Sequence, residues 1–372
     1  MSVFFDKAIQ PDLEELPSWA LGKRIGPAER WSEADILIMG IPDMENPSGL
    51  ADAMRKQLFR LSIPDQMPAI VDLGNFKAKN DWNGYEDALG YVLEQLAGHG
   101  KTVVLLADHP GFSFAQYRAF EQKNEDVSYV HVGPVFDLDP PFEANPELSY
   151  NQRILRHEPN YLFGFTSLGF QRYLVDPEAV KSLSDLHCAT LRYGELEAHP
   201  EEAEPFLRDA NLLSLDLSAI RRADMPAASR PSPAGFSTRE ICKLTRYAGL
   251  SESLESILFS GMVPEKDEHD MGACVAALAL WYFIEGRGQR HPDAPESTWR
   301  RYSVTMHSPP HQVDFLHSPR SGRWWMEVPY PEALGRPGSG PVRRVACSRK
   351  DYEAAQRDEL PQRWWHTQYR LG

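Results

Sequence analysis

One feature constrains the fold more than any other. Short apolar runs alternate along the chain with longer stretches of helical spacing. Asp35–Ile41 (DILIMGI), Ala69–Leu73 (AIVDL), Thr102–Ala107 (TVVLLA) and Val127–Val132 read as strands, as do Tyr161–Phe165, Leu212–Leu217 and Ile257–Met262. Between them, Ala51–Leu61, Tyr85–Leu96, a stretch from Phe114, Asp176–Leu186, Thr238–Ala248 and Asp270–Gly286 carry apolar residues at helical intervals. A strand apolar at nearly every position must be covered on both faces. The pattern therefore predicts a three-layer α/β fold: a mostly parallel sheet with helices on both faces and right-handed crossovers.

The organisation expected from this reading has three parts. Residues 1–32 are a proline-punctuated lead-in, and residues 33–288 carry the α/β pattern. Residues 289–372 form a C-terminal extension rich in aromatic residues, proline and arginine. It holds five of the nine tryptophans: Trp299, Trp324, Trp325, Trp364 and Trp365. A segment so aromatic is expected to pack on the core, with an oligomer or protein-partner surface as the sharper alternative.

Composition excludes several roles. The formal charge is −14, from 39 basic and 53 acidic residues, so a nucleic-acid partner is not expected. Cys188, Cys242, Cys274 and Cys347 lie far apart with no CxxC, which points to reduced thiols in a cytoplasmic protein. The N-terminus lacks a basic start and a long apolar run, and no stretch is long enough to span a membrane.

Function in an open α/β sheet collects where the strands end. Three such segments carry candidate chemistry. Leu105–Ser113 (LLADHPGFS) places Asp108 and His109 at a strand end, where His109 either reaches a metal or substrate or caps the next helix. Val130–Pro140 (VHVGPVFDLDP) holds Asp137 and Asp139 two apart. They would share a face if the strand continued, but Asp-Leu-Asp-Pro-Pro is also good turn chemistry. Leu212–Pro226 (LLSLDLSAIRRADMP) ends a buried strand on Asp216, with Ser218 beyond it. A buried carboxylate needs a partner, which could be a metal, Arg221 or Arg222, or a helix N-terminus. The acidic run Glu265–Asp270 reads as a helix start, and His307, His311 and His317 as loop or surface residues. Ser237 or Thr238 is expected to cap a helix. No GxSxG, P-loop or GxGxxG signature appears.

The order of these segments, with Ile38–Pro42 (IMGIP), Asp72–Asn75 (DLGN), Gly235–Gly249 (GFSTREICKLTRYAG) and Phe283–Gly286, resembles the ureohydrolase family of arginases, agmatinases and formimidoylglutamases. The likeness is greatest to the bacterial formimidoylglutamase branch and covers roughly residues 33–288. It implies an arginase-like fold and, in active members, two Mn²⁺ ions on six ligands in GGDH, DAHxD and SxDxD motifs, with a metal-activated water attacking a guanidinium or formimino carbon. On these positions GGDH becomes LADH and keeps His109. DAHxD falls on Gly133–Asp137 and keeps only Asp137, with Gly133 and Val135 in place of donors. SxDxD falls on Ser214–Ser218 and keeps Asp216, with Ser218 in place of the last Asp. The acidic residue before the strand-end proline falls near Gly261.

Three remnant metal ligands are thus expected: His109, Asp137 and Asp216. The resemblance implies a family member that has lost three of its six dimanganese ligands and is non-catalytic, with a binding or assembly role and no cofactor. Relatives are often oligomers, so a homo-oligomer is expected as well. The alternative is a metal-dependent hydrolase of a linear amidine C–N bond, using one Mn²⁺ or a rebuilt site.

Overall fold

In the computed structural model the apolar runs become strands of one sheet. The described residues are 2–8, 11–43, 49–77, 81–96, 100–123, 126–138, 149–291, 293, 296–331 and 342–371. The strands are β1 (Phe5–Asp6), β2 (Ile36–Ile41), β3 (Ile70–Phe76), β4 (Thr102–Ala107), β5 (Val127–Val132), β6 (Leu162–Phe170), β7 (Ala189–Arg192), β8 (Leu212–Asp216) and β9 (Ser256–Ser260). Their order across the sheet is β1-β3-β2-β4-β9-β8-β5-β6-β7. All pairings are parallel except β1 on β3, so the lead-in supplies an antiparallel edge strand.

The helices are α1 (Leu50–Leu58), α2 (Trp82–Leu96), α3 (Ser113–Arg118), α4 (Tyr150–Arg156), α5 (Pro177–Asp185), α6 (Tyr193–Ala198), α7 (Glu204–Asp209), α8 (Thr238–Gly249) and α9 (Met271–Gly288). Successive strand residues point to opposite faces, and each face has its own core. Ile36, Ile38, Val104, Leu106, Leu213 and Leu215 pack with residues of α1, α8 and α9. Leu37, Met39, Ile41, Val103, Leu105 and Leu258 pack with residues of α2 and α3. This two-sided burial is the physical cause of the continuous apolar runs.

Local chemistry sets the helix starts. The Ser237 hydroxyl accepts the Glu240 amide, and Glu240 reaches back to the Ser237 amide, a capping box that opens α8. At α9, Asp267 in the acidic run accepts the amides of Gly272 and Ala273 at 2.7 and 2.8 Å.

After α9 the architecture changes. Strands β10 (Arg300–Thr305), β11 (Gln312–His317), β12 (Trp324–Pro329) and β13 (Val342–Cys347) form a separate antiparallel sheet in that order. Helices α10 (Arg349–Gln356) and α11 (Gln362–Leu371) follow. On one face Arg301 reaches Asp314 and Glu327 at 2.9 and 2.7 Å. On the other, Val313, Phe315, Met326 and Val328 pack against Ala355, Trp364 and Leu371. Arg208 on α7 donates to the carbonyls of Trp324 and Cys347 at 2.9 and 3.2 Å and lies 4.5 Å from the Trp325 ring. Trp299 stacks on Trp325 at 4.2 Å.

Candidate functional site

Sheet order determines which strand ends meet. β4, β9, β8 and β5 are consecutive at the centre of the sheet. Their C-terminal ends present Asp108 and His109, then Gly261, then Asp216, then the turn from Gly133 to Asp137. A cavity of about 560 Å³ opens there, lined in part by Asp108, His109, Asp137, Arg230 and Gly261, with Leu174, Val175 and Met262 on its apolar side.

The strand carrying Asp137 ends at Val132, so Asp137 and Asp139 do not sit on a continued strand. Asp137 takes the left-handed conformation at φ 51°, which Asp tolerates better than most residues. Asp139 lies outside the described residues.

Asp137 and Asp216 are both buried and are joined by one guanidinium. Arg230 Nη2 donates to Asp137 Oδ1 at 2.7 Å and to Asp216 Oδ2 at 3.2 Å. The other oxygen of Asp216 accepts the Ser218 amide at 2.8 Å. Neither Arg221 nor Arg222 is the partner of Asp216; Arg221 pairs with Asp224 at 2.8 Å near the surface. Burial pushes the Asp216 carboxyl up and nearby Asp137 adds to that, while the Arg230 charge opposes it. Burial acts to depress the guanidinium of Arg230, but the two carboxylates outweigh it and hold its pKa above the ordinary value.

The loop that delivers Arg230 is stitched to the end of β9. Ala228 and Met262 form an antiparallel bridge, and the Ser229 amide donates to the Gly261 carbonyl at 2.9 Å. The Arg230 amide donates to Ser218 Oγ at 3.1 Å. Gly261 has φ +83°, and a Cβ there would lie 1.9 Å from Asp216 Oδ1. No side chain fits at this position while Asp216 keeps its pose.

A second buried layer lies behind Asp137. Tyr150 donates its hydroxyl to Asp137 Oδ2 at 2.8 Å, so the contact at 3.0 Å between Tyr150 and His131 Nε2 requires the imidazole to donate. That leaves Nδ1 without a proton, and Nδ1 has no hydrogen-bond partner. Burial holds the imidazole of His131 down to about 4; Asp216 opposes this and Arg230 adds to it. Because the folded value lies below the ordinary 6.5, the unfolded chain takes up a proton first as the pH falls. The stability that neutral His131 contributes is therefore complete above pH 6.5 and is lost as pH falls toward 4. The expected loss is up to about 3 kcal/mol. Urea unfolding at a series of pH values should show it, and His131→Gln should flatten the slope in that window.

Of the three ligands expected from the sequence, His109 and Asp137 line the same cavity, and Asp216 lies behind it, joined to Asp137 through Arg230. His109 Nε2 faces Asp43 Oδ2 at 3.3 Å and its ring meets Trp82 edge-on. Asp108 has a structural role, accepting the amides of Asp43 at 2.8 Å and Leu50 at 2.7 Å. Burial pushes its carboxyl up. Among the described residues, no three His, Cys, Asp or Glu side chains group as a metal site. The sequence reading missed Arg230 and Tyr150. The signal available for Arg230 was the need of a buried Asp216 for a cation.

A central parallel sheet, helical layers on both faces and a cavity at the strand ends define an arginase-like α/β protein. No family model matches the sequence. The chain is 25% identical over 244 residues to the formimidoylglutamase of Salmonella heidelberg strain SL476, covering 63% of this chain and 77% of that protein. It is 20% identical over 244 residues to the formimidoylglutamase of Staphylococcus haemolyticus strain JCSC1435. The fold matches Trypanosoma cruzi formiminoglutamase with Mn²⁺₂ at a TM-score of 0.63 and 19% identity, covering 76% of this chain and all (100%) of that one. Bacillus subtilis formimidoylglutamase matches at a TM-score of 0.63 and 14% identity, covering 76% and 95%. The chain thus has the arginase-superfamily fold and is similar in sequence to formimidoylglutamases.

One expectation is corrected here. No cofactor was expected, yet the Trypanosoma cruzi relative was crystallised with Mn²⁺₂. Freedom from a cofactor is therefore not a property that this fold carries with it.

Proposed function

We propose that this chain is a ureohydrolase-family protein that has left dinuclear metal hydrolysis and acts through binding or assembly. One observation carries the reading: the Arg230 guanidinium bridges Asp137 and Asp216, placing a positive charge between the two buried carboxylates. The neighbouring positions support it. Gly133 and Val135 offer no donor side chain, and Ser218 is a neutral donor already bonded to Ser229 and the Arg230 amide. Gly261 has no room for a side chain. Two divalent ions bring four positive charges and need anionic oxygens to balance them. This donor set does not fit such a pair.

The binding role has two candidate surfaces. One is the strand-end cavity, whose apolar wall and buried charged floor suit a small polar molecule. The other is the C-terminal region, which presents Trp365 and Tyr369 of α11 at 52% and 60% exposure to a protein partner or a second copy of the chain. A cytoplasmic location is supported by four cysteines that are all unpaired. No described helix is long and apolar enough to cross a membrane.

The test is an ammonia- and urea-release assay with formimidoylglutamate, agmatine and arginine, on purified protein dialysed against Mn²⁺. Release at the rate of the protein-free control is expected. Turnover that needs Mn²⁺ and disappears in Asp216→Asn would overturn the reading. It would favour instead a hydrolase working with His109, Asp137 and Asp216, of which His109 and Asp137 share one cavity.

A further inference from the structure

Asp137 and Asp216 bring two carboxylates into a site where their side chains are 3% and 1% exposed. Each depresses the ionisation of the other unless a cation lies between them. That cation is supplied by a single nitrogen, since the same Nη2 of Arg230 contacts Asp137 Oδ1 and Asp216 Oδ2. A metal ion bridging those two oxygens would have to sit where Nη2 sits. The two cations exclude one another by volume and by charge.

We infer that Arg230 is a tethered counter-cation that competes with a divalent metal ion for Asp137 and Asp216. The inference rests on the reading that Arg230 stands in place of the family's metal charge. It goes further by making occupancy of the carboxylate pair depend on one side chain that can be displaced. Three observations support it. The side chain of Arg230 is 41% exposed, so it opens onto the cavity and has solvent to swing into. Its backbone stays anchored through Ser218 Oγ and the Ala228–Met262 bridge, so removing the guanidinium leaves the loop attached. The guanidinium reaches both carboxylates through one nitrogen, so a single small cation at that point would meet the same two oxygens. A hard cation with oxygen ligands is the chemistry such a pair selects.

The experiment is a Mn²⁺ titration of the full chain at neutral pH, read by the electron-paramagnetic-resonance signal of free Mn²⁺. The unmodified protein is compared with Arg230→Ala, Arg230→Lys and the double variant Arg230→Ala with Asp216→Asn. At least about tenfold tighter Mn²⁺ binding is expected for Arg230→Ala than for the unmodified chain, a gain of about 1.4 kcal/mol. Arg230→Lys, which keeps the charge, is expected to bind like the unmodified chain, and the double variant should lose the gain. If Arg230→Ala does not fold, Arg230→Gln supplies the neutral side chain, and the same gain is expected. Equal affinities for the unmodified and neutral variants would overturn the inference, as would an Arg230→Lys variant that binds like Arg230→Ala. Those results leave the non-hydrolytic reading standing if the unmodified protein shows no turnover. Turnover would remove that reading without altering the comparison of affinities.

Discussion

Replacing Arg55 with methionine is expected to lower the unfolding free energy by about 3–5 kcal/mol, the largest single effect expected outside the two cores. Arg55 lies on α1 and is fully buried. Its guanidinium makes a two-point bond with Asp72, through Nε at 2.8 Å and Nη2 at 3.0 Å. Nη1 donates to Asp52 at 3.1 Å and to Asn75, and Nη2 also reaches the Gly74 carbonyl at 2.9 Å. The cluster ties α1 to β3, and its space comes from β2, where a Cβ at Gly40 would lie 2.0 Å from Asn75 Oδ1. Methionine fills much of the volume but takes the guanidinium away from two buried carboxylates, Asp52 and Asp72. Denaturant unfolding monitored by tryptophan fluorescence would measure the change. A triple variant, Arg55→Met with Asp52→Asn and Asp72→Asn, should recover a large part of it. A single variant as stable as the parent would mean that the cluster holds the fold much less than its geometry implies.

The second large effect is expected at Arg208, where alanine should cost about 3 kcal/mol and free the C-terminal sheet from α7. Arg208 joins α7 to β12 and β13 of the C-terminal sheet. Removing it strands the carbonyls of Trp324 and Cys347 and the upper face of the Trp325 ring. Limited proteolysis should then cut within residues 300–371 faster than in the parent. Simultaneous digestion of both regions at an unchanged rate would show that the C-terminal sheet is held by its other contacts, such as Arg343 with Asp126 at 2.9 Å.

Much of the sheet was legible before the structure because its signal is local. Thr102–Ala107 and Val127–Val132 were bounded to the residue, since a strand buried on both faces is largely apolar, although Ser128 and His131 interrupt the second. The helix starts were legible at Ser237, where a capping residue precedes a periodic stretch. The C-terminal sheet was not resolved into strands. β10 alternates exposed and half-buried positions, and Arg-Arg-Tyr-Ser-Val-Thr carries no continuous apolar signal. Its aromatic residues marked the region as packed without showing what they pack on.

At the site, the sequence alone picked out His109, Asp137 and Asp216 as residues at strand ends. It also established that a buried Asp216 must have a partner, because an isolated charge in a dry core is costly. The tertiary structure decided which partner. Arg230 is 93 positions from Asp137 and 14 from Asp216, in a loop with no recognisable motif, and two arginines nearer to Asp216 were the obvious candidates. Strand order and the stitching of the Ala228 segment to Met262 brought Arg230 to the carboxylates and sent Arg221 to the surface. Apolar periodicity is written residue by residue, so it determined the layers. Charge pairing acts through space across the whole fold, so only the folded chain could choose the cation.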